Sequence, residues 1–170
     1  KGIKKLGECE AGVDPKPGTF AHHVREVEKD FWEKRFKVYT EWKRSFWESY
    51  QRDGGFRMYT GFVCQGVLNR NDVLNYAVQG ASFHCLLWSL VQIHKWLKKN
   101  KMRTKIVGQI HDSIVADVYA PEKDDFLGMC KQVMTIDLLK HWKWLIVPMD
   151  IEAEIGELGA SWHELKGVKI

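Results

Sequence analysis

Two apolar runs that meet at a His-Asp pair, Ile106-Val-Gly-Gln-Ile-His-Asp-Ser-Ile-Val115, constrain this chain more than any other stretch. Runs rich in Ile and Val favour strands, and the pattern predicts strands over residues 103–110 and 113–119. Only a tight turn fits between them, so His111 and Asp112 are expected at the bend of an antiparallel pair. A carboxylate at such a bend projects beyond the sheet, within reach of a hydrated Mg²⁺. Magnesium prefers one or two carboxylates completed by water and phosphate oxygens. Taken alone, a His-Asp pair reads more readily as a simple turn, because Asp is a common turn residue.

The flanking sequence supplies the context. From Phe20 to Asp53, apolar residues recur at Val27, Phe31, Val38, Trp42, Phe46 and Tyr50, mostly three or four apart, and predict a helix. Asp53-Gly54-Gly55 ends it, glycine being the usual left-handed stop. Residues 56–68 suggest a short twisted hairpin. A second long helix is expected over Asp72–Lys99, with Phe83, Leu86, Leu87, Leu90, Ile93, His94 and Leu97 as one buried stripe. Pro121 opens another helix, to about Leu139. Val147, Met149, Ile151, Ala153 and Ile155 alternate with polar residues and predict a closing strand. Residues 1–20 form a Gly- and Pro-rich lead-in. The expected fold class is α+β in one domain, two long helices against an antiparallel sheet built from the 103–119 hairpin and the closing strand.

Charge is unevenly spread. Residues 1–105 hold 20 Lys+Arg against 11 Asp+Glu, a net of +9, while residues 106–170 hold 6 against 11, a net of −5. A basic part suits phosphates and an acidic part suits hard cations. Arg25, Lys34, Arg35, Lys43, Arg44, Arg57 and Arg70 populate the basic part. Apolar runs are too short to span a membrane. Cysteines 9, 64, 85 and 130 are widely spaced without a C-x-x-C pair, as expected of reduced thiols in a cytoplasmic setting. A His-Asp metal phosphohydrolase is a weaker alternative. His22, His23, His84, His94, His141 and His163 show no ligand spacing to Asp112.

Asn75-Tyr-Ala-Val-Gln79-Gly80, followed 32 positions after Gln79 by His111-Asp112, resembles family A DNA polymerases. In that family an asparagine-to-glutamine segment opens a long palm helix, and a His-Asp hairpin, motif C, comes about thirty residues later. Val147-Pro148, Gly156 and Trp162 are similar to the family's closing strand and tail, and the nearest flavour is phage-like. The likeness runs from about residue 25 to the end.

The resemblance implies a palm-type fold over residues 1–170 and a role in adding dNTPs to the 3′ end of a primer-template DNA by two-metal-ion transfer. Asp112 would bind the magnesium ions, and His111 would lie near the primer terminus. Asn75, Gln79 and Arg70 would contact the DNA. Amides at i and i+4 share a helix face and match the minor-groove acceptors present in every correct base pair. Ser113 departs from the acidic residue usual after motif C, and serine supplies no charge. Motifs A and B find no match, and Lys1-Gly-Ile-Lys-Lys-Leu6 resembles the stretch just after motif B. The expectation is a polymerase part, inactive alone, that needs an upstream half carrying those motifs. The alternative is a non-catalytic nucleic-acid-binding or assembly module with the same fold.

Overall fold

The computed structural model describes residues 15–170; the resemblance at Lys1–Leu6 and most of the predicted lead-in lie outside them. The chain divides into two compact units, Lys1–Gly55 with Gln65–Leu74, and Phe56–Cys64 with Asn75–Ile170.

In the first unit, helix α1 (Phe20–Asp30) is capped by Thr19, whose hydroxyl accepts the His22 N–H at 3.2 Å. The single helix expected from Phe20 to Asp53 is interrupted. Phe31–Arg35 form a π-helical turn, Phe36 leaves helical geometry, and α2 resumes over Lys37–Asp53. The insertion frees the Trp32 carbonyl, which accepts the Thr40 hydroxyl at 2.8 Å. It also gathers Phe31, Trp32 and Phe36 into edge and tilted ring contacts 4.5–6.4 Å apart. Gly54 stops α2 in the left-handed region at φ 69°, its N–H donating to the Tyr50 carbonyl. The buried Tyr50 ring then anchors the returning chain, its hydroxyl bonding the Gly66 carbonyl and accepting the Leu68 N–H.

Strands β1 (Gly55–Arg57) and β2 (Val63–Gln65) make the short hairpin expected there. The long helix α3 (Arg70–Lys99) starts two residues earlier than the hydrophobic pattern indicates. Its cap is Asn69, whose side-chain oxygen accepts the Asp72 N–H at 3.0 Å while its amide donates to the Asp72 carboxylate at 2.7 Å.

The far end of α3 closes with a paired motif. Met102 N–H donates to Leu97 O and Lys101 N–H to Lys98 O, with Lys101 at φ 52°. Lysine sits where glycine is usual, because a Cβ disfavours the left-handed region. Lys101→Gly is therefore expected to raise stability by about 0.5–1 kcal/mol. The denaturation midpoint should move up at unchanged m-value, and a fall would contradict the assignment of strain to this position.

Strands β3 (Lys105–Ile110) and β4 (Ser113–Asp117) form the predicted hairpin. It packs on α3 and on a helical stretch made of α4 (Lys123–Lys131), a π-helical segment (Gln132–Asp137) and α5 (Leu138–His141). Buried Ile93, Leu97, Phe126, Cys130 and Val133 form the core, with Ile106, Ile114, Ala116 and Val118 of the hairpin region against it. Of the expected α3 stripe, Leu86, Ile93 and Leu97 are buried, whereas Phe83 and Leu87 are 45% and 37% exposed and His94 is exposed. Ser89 takes part of their place, buried with its hydroxyl donating to Cys85 O at 2.8 Å. Burial pushes the Cys130 thiol up to about 12 and raises that of Cys85, so both stay protonated and unreactive at neutral pH.

The α+β class holds, but the closing strand is shorter than its alternation suggests. Only Ala153–Ile155 (β5) is extended and paired, and its partner is β6 (Lys166–Val168), not the β3–β4 hairpin. Alternation marks a one-sided environment and leaves the hydrogen-bonding partner undefined. Ile151, just before β5, still packs against the core.

Candidate functional site

The β3–β4 hairpin sets the site. Ile110 pairs with Ser113, leaving His111 and Asp112 as a two-residue loop. His111 sits at φ 51°, the left-handed geometry such loops need, which histidine tolerates better than most side chains. The Gln109 side-chain amide bonds the His111 carbonyl and braces the loop. His111, Asp112 and Ser113 are all exposed, and among the described residues Asp112 makes no ion pair or hydrogen bond. Its carboxylate is thus available to a ligand from outside.

Asn75 and Gln79 lie one turn apart on α3, both exposed, so both amides face one side of the helix. Both belong to the unit that holds His111 and Asp112. Arg70 opens the same helix, exposed, within the other unit. Among the described residues, no three His, Cys, Asp or Glu side chains converge as a metal site. Asp112 is the carboxylate on the hairpin loop that could hold a magnesium ion.

A clasp at the β1–β2 hairpin escaped the sequence reading. Met58 lies against Gly80, where a Cβ would come within 2.8 Å of its Cε. The Thr60 hydroxyl is 2.7 Å from His84 Nδ1, and Phe62 stacks on the same imidazole with centroids 3.7 Å apart. Gly80, an isolated glycine inside a helix, was the available signal, since such a residue usually has a packing reason.

Burial pushes His84 below its ordinary value near 6.5. The unfolded chain then binds this proton at higher pH than the folded chain does. Stability is complete above about pH 6.5 and falls as pH drops from there through the folded value. His84→Phe should flatten this part of the urea-midpoint profile between pH 7.5 and 5; an unchanged slope would contradict the clasp. Glu122 behaves in the acid range. Desolvation alone would raise its carboxyl, but donation from the Arg103 and Thr104 N–H groups and the Thr104 hydroxyl holds it below the usual range. It thereby ties the start of β3 to the turn before α4.

The fold resembles a polymerase domain. It superposes on the POL domain of Pol1 from M. smegmatis, solved in complex with DNA primer-template and dNTP, with a TM-score of 0.60 at 16% identity, over 69% of this chain and 22% of that one. The family model for DNA polymerase family A matches residues 65–164, and the chain belongs to that family. Among curated relatives, the DNA polymerase of Bacillus phage SP01 is 36% identical over 89 residues, 49% of this chain and 9% of the phage protein. DNA polymerase I of Chloroflexus aurantiacus is 23% identical over 94 residues, 55% of this chain and 9% of the bacterial protein. The chain thus spans about a tenth of the length of these relatives. No helix among the described residues is long and apolar enough to cross a membrane.

Proposed function

We propose that the chain is the C-terminal palm-side part of a template-directed DNA polymerase that adds dNTPs to a primer 3′ end. The observation that carries this reading is an exposed carboxylate, Asp112, with no partner among the described residues, on a two-residue hairpin loop inside the family-matched segment. Asp112 is the magnesium ligand this chain supplies, and His111 stands beside it facing the primer terminus. Asn75 and Gln79 donate to minor-groove acceptors, checking base-pair geometry without reading sequence. Arg70 contacts the DNA backbone. Bound magnesium supplies activation of the 3′-oxygen and neutralisation of charge on the transferring phosphate. This chain holds the carboxylate clear of the sheet and orients the duplex.

One carboxylate is too little charge for two metal ions, so a second must come from a segment carrying motifs A and B, on a partner chain or in a longer polypeptide. The test is primer extension. The 170-residue chain alone should give none, and addition of the missing segment should restore it. Extension by the isolated chain would sink the requirement for a second segment. DNA binding without extension after reassembly would favour the non-catalytic reading, which Ser113 at the acidic position supports.

A further inference from the structure

An open groove of about 290 Å³ lies in the second unit between the β1–β2 tip, α3 and the chain from α5 onward. Phe62, His84, Leu87, Trp88, His141 and Trp142 shape it. Trp88 stacks on His141 with centroids 4.8 Å apart and planes 18° apart, and Trp142 lies 6.0 Å from Trp88. Phe62, with one face on His84, is 52% exposed.

Charge beside the groove is predominantly positive. The segments that hold its lining residues, 57–62, 84–95 and 137–143, contain one acid, Asp137. They carry Arg57, Lys95, Lys140 and Lys143, all exposed. Only Lys140 has an ion-pair partner among the described residues, Asp137 at 3.4 Å. This contrasts with residues 106–170 as a whole, where acids outnumber bases 11 to 6.

We propose that this groove binds single-stranded DNA, outside the duplex contacts of Asn75 and Gln79. Aromatic faces accept bases of any identity, and surrounding cations accept the backbone. Trp88 lies nine residues, or about 2.5 turns, beyond Gln79 on the same helix, about 13 Å along its axis and on the opposite face, so the groove is a surface separate from the duplex contacts. This placement rests on the polymerase reading, whereas the binding chemistry stands on the groove itself.

The test is titration of the 170-residue chain with a labelled oligothymidine of about twelve nucleotides, followed by anisotropy and tryptophan fluorescence at several salt concentrations. Saturable, salt-sensitive binding is expected. Trp142→Ala should weaken it roughly tenfold or more. The double variant Lys140→Glu, Lys143→Glu should weaken it and lower the log–log salt slope by about 1.4. Both lysines are exposed, so this variant decides the matter even if Trp142→Ala fails to fold. Unchanged affinity and slope in the lysine variant would overturn the proposal. So would tight binding of an acidic tryptophan-containing peptide with no binding of oligothymidine, which would make the groove a protein-docking site. Asn75→Ala with Gln79→Ala should spare oligothymidine binding while weakening primer-template duplex. Failure of the duplex effect alone counts against the polymerase reading and leaves the groove intact.

Discussion

Asp112→Asn in the reassembled polymerase is expected to lower primer extension by roughly a thousandfold or more while leaving primer-template affinity within about twofold. Metal-borne charge stabilisation is worth several kcal/mol, and each 1.36 kcal/mol is a factor of ten in rate. The substitution keeps shape and removes charge. Because Asp112 is exposed and bonds to no described residue, its loss carries no packing penalty, and the thermal midpoint should not move. That combination separates a ligand from a structural residue. Unchanged extension would leave the chain only a binding role; a collapse of stability would mean that the hairpin loop, not the carboxylate, had been damaged. Ser113→Glu restores the acidic residue usual at the next position, and its effect on the magnesium dependence reads out whether that position touches the metal site.

The second large effect lies in the core. Ile93 is fully buried at the centre of a cluster with Leu97, Phe126, Cys130 and Val133. Ile93→Ala removes three carbons from a site where α3 meets α4 and the following π-helical segment, and none of these elements can collapse without disturbing the others. The expected loss is about 2–5 kcal/mol, or about 4–20 °C in melting temperature for a chain of this size. Val38→Ala is the matched control. Val38 is 81% exposed on α2, so its change should stay within about 0.5 kcal/mol. An Ile93→Ala loss below about 1 kcal/mol would place the core elsewhere.

The features that local chemistry dictates were legible from the residues. The β3–β4 hairpin follows from two Ile- and Val-rich runs around a two-residue loop, and α2 stops at Gly54 as expected. The hairpin and the helical repeat place Asp112 and the Asn75/Gln79 pair, whereas the family resemblance is what singled them out. What periodicity cannot report is a change of helical winding, so the π-helical turns at Phe31–Arg35 and Gln132–Asp137 were invisible. Strand pairing between distant segments was equally hidden. Nothing in Lys166-Gly167-Val168 announces a strand, yet it pairs with β5. The clasp of Thr60 and Phe62 on His84 joins residues more than twenty apart. His84 and Ser89 are polar residues buried because a partner satisfies them, a condition known only once the partner is placed.

Pairing in the β3–β4 hairpin slips by one residue between Ile106 and Gly108, which alters the symmetry of its bend. Lys105 and Ile106 pair with Asp117 and Ala116, but Gly108 pairs with Val115, so Val107 is an extra residue on one strand. Continued without that residue, the Lys105–Asp117 pairing would be centred on His111 itself, with an odd number of residues at the bend. Val107 shifts the centre by half a residue, into the peptide bond between His111 and Asp112. An even, two-residue bend becomes possible, and the histidine takes its strained first position while the aspartate takes the relaxed second. The parity of one strand, fixed four residues before the loop, thus decides which residue of the pair occupies which side of the bend.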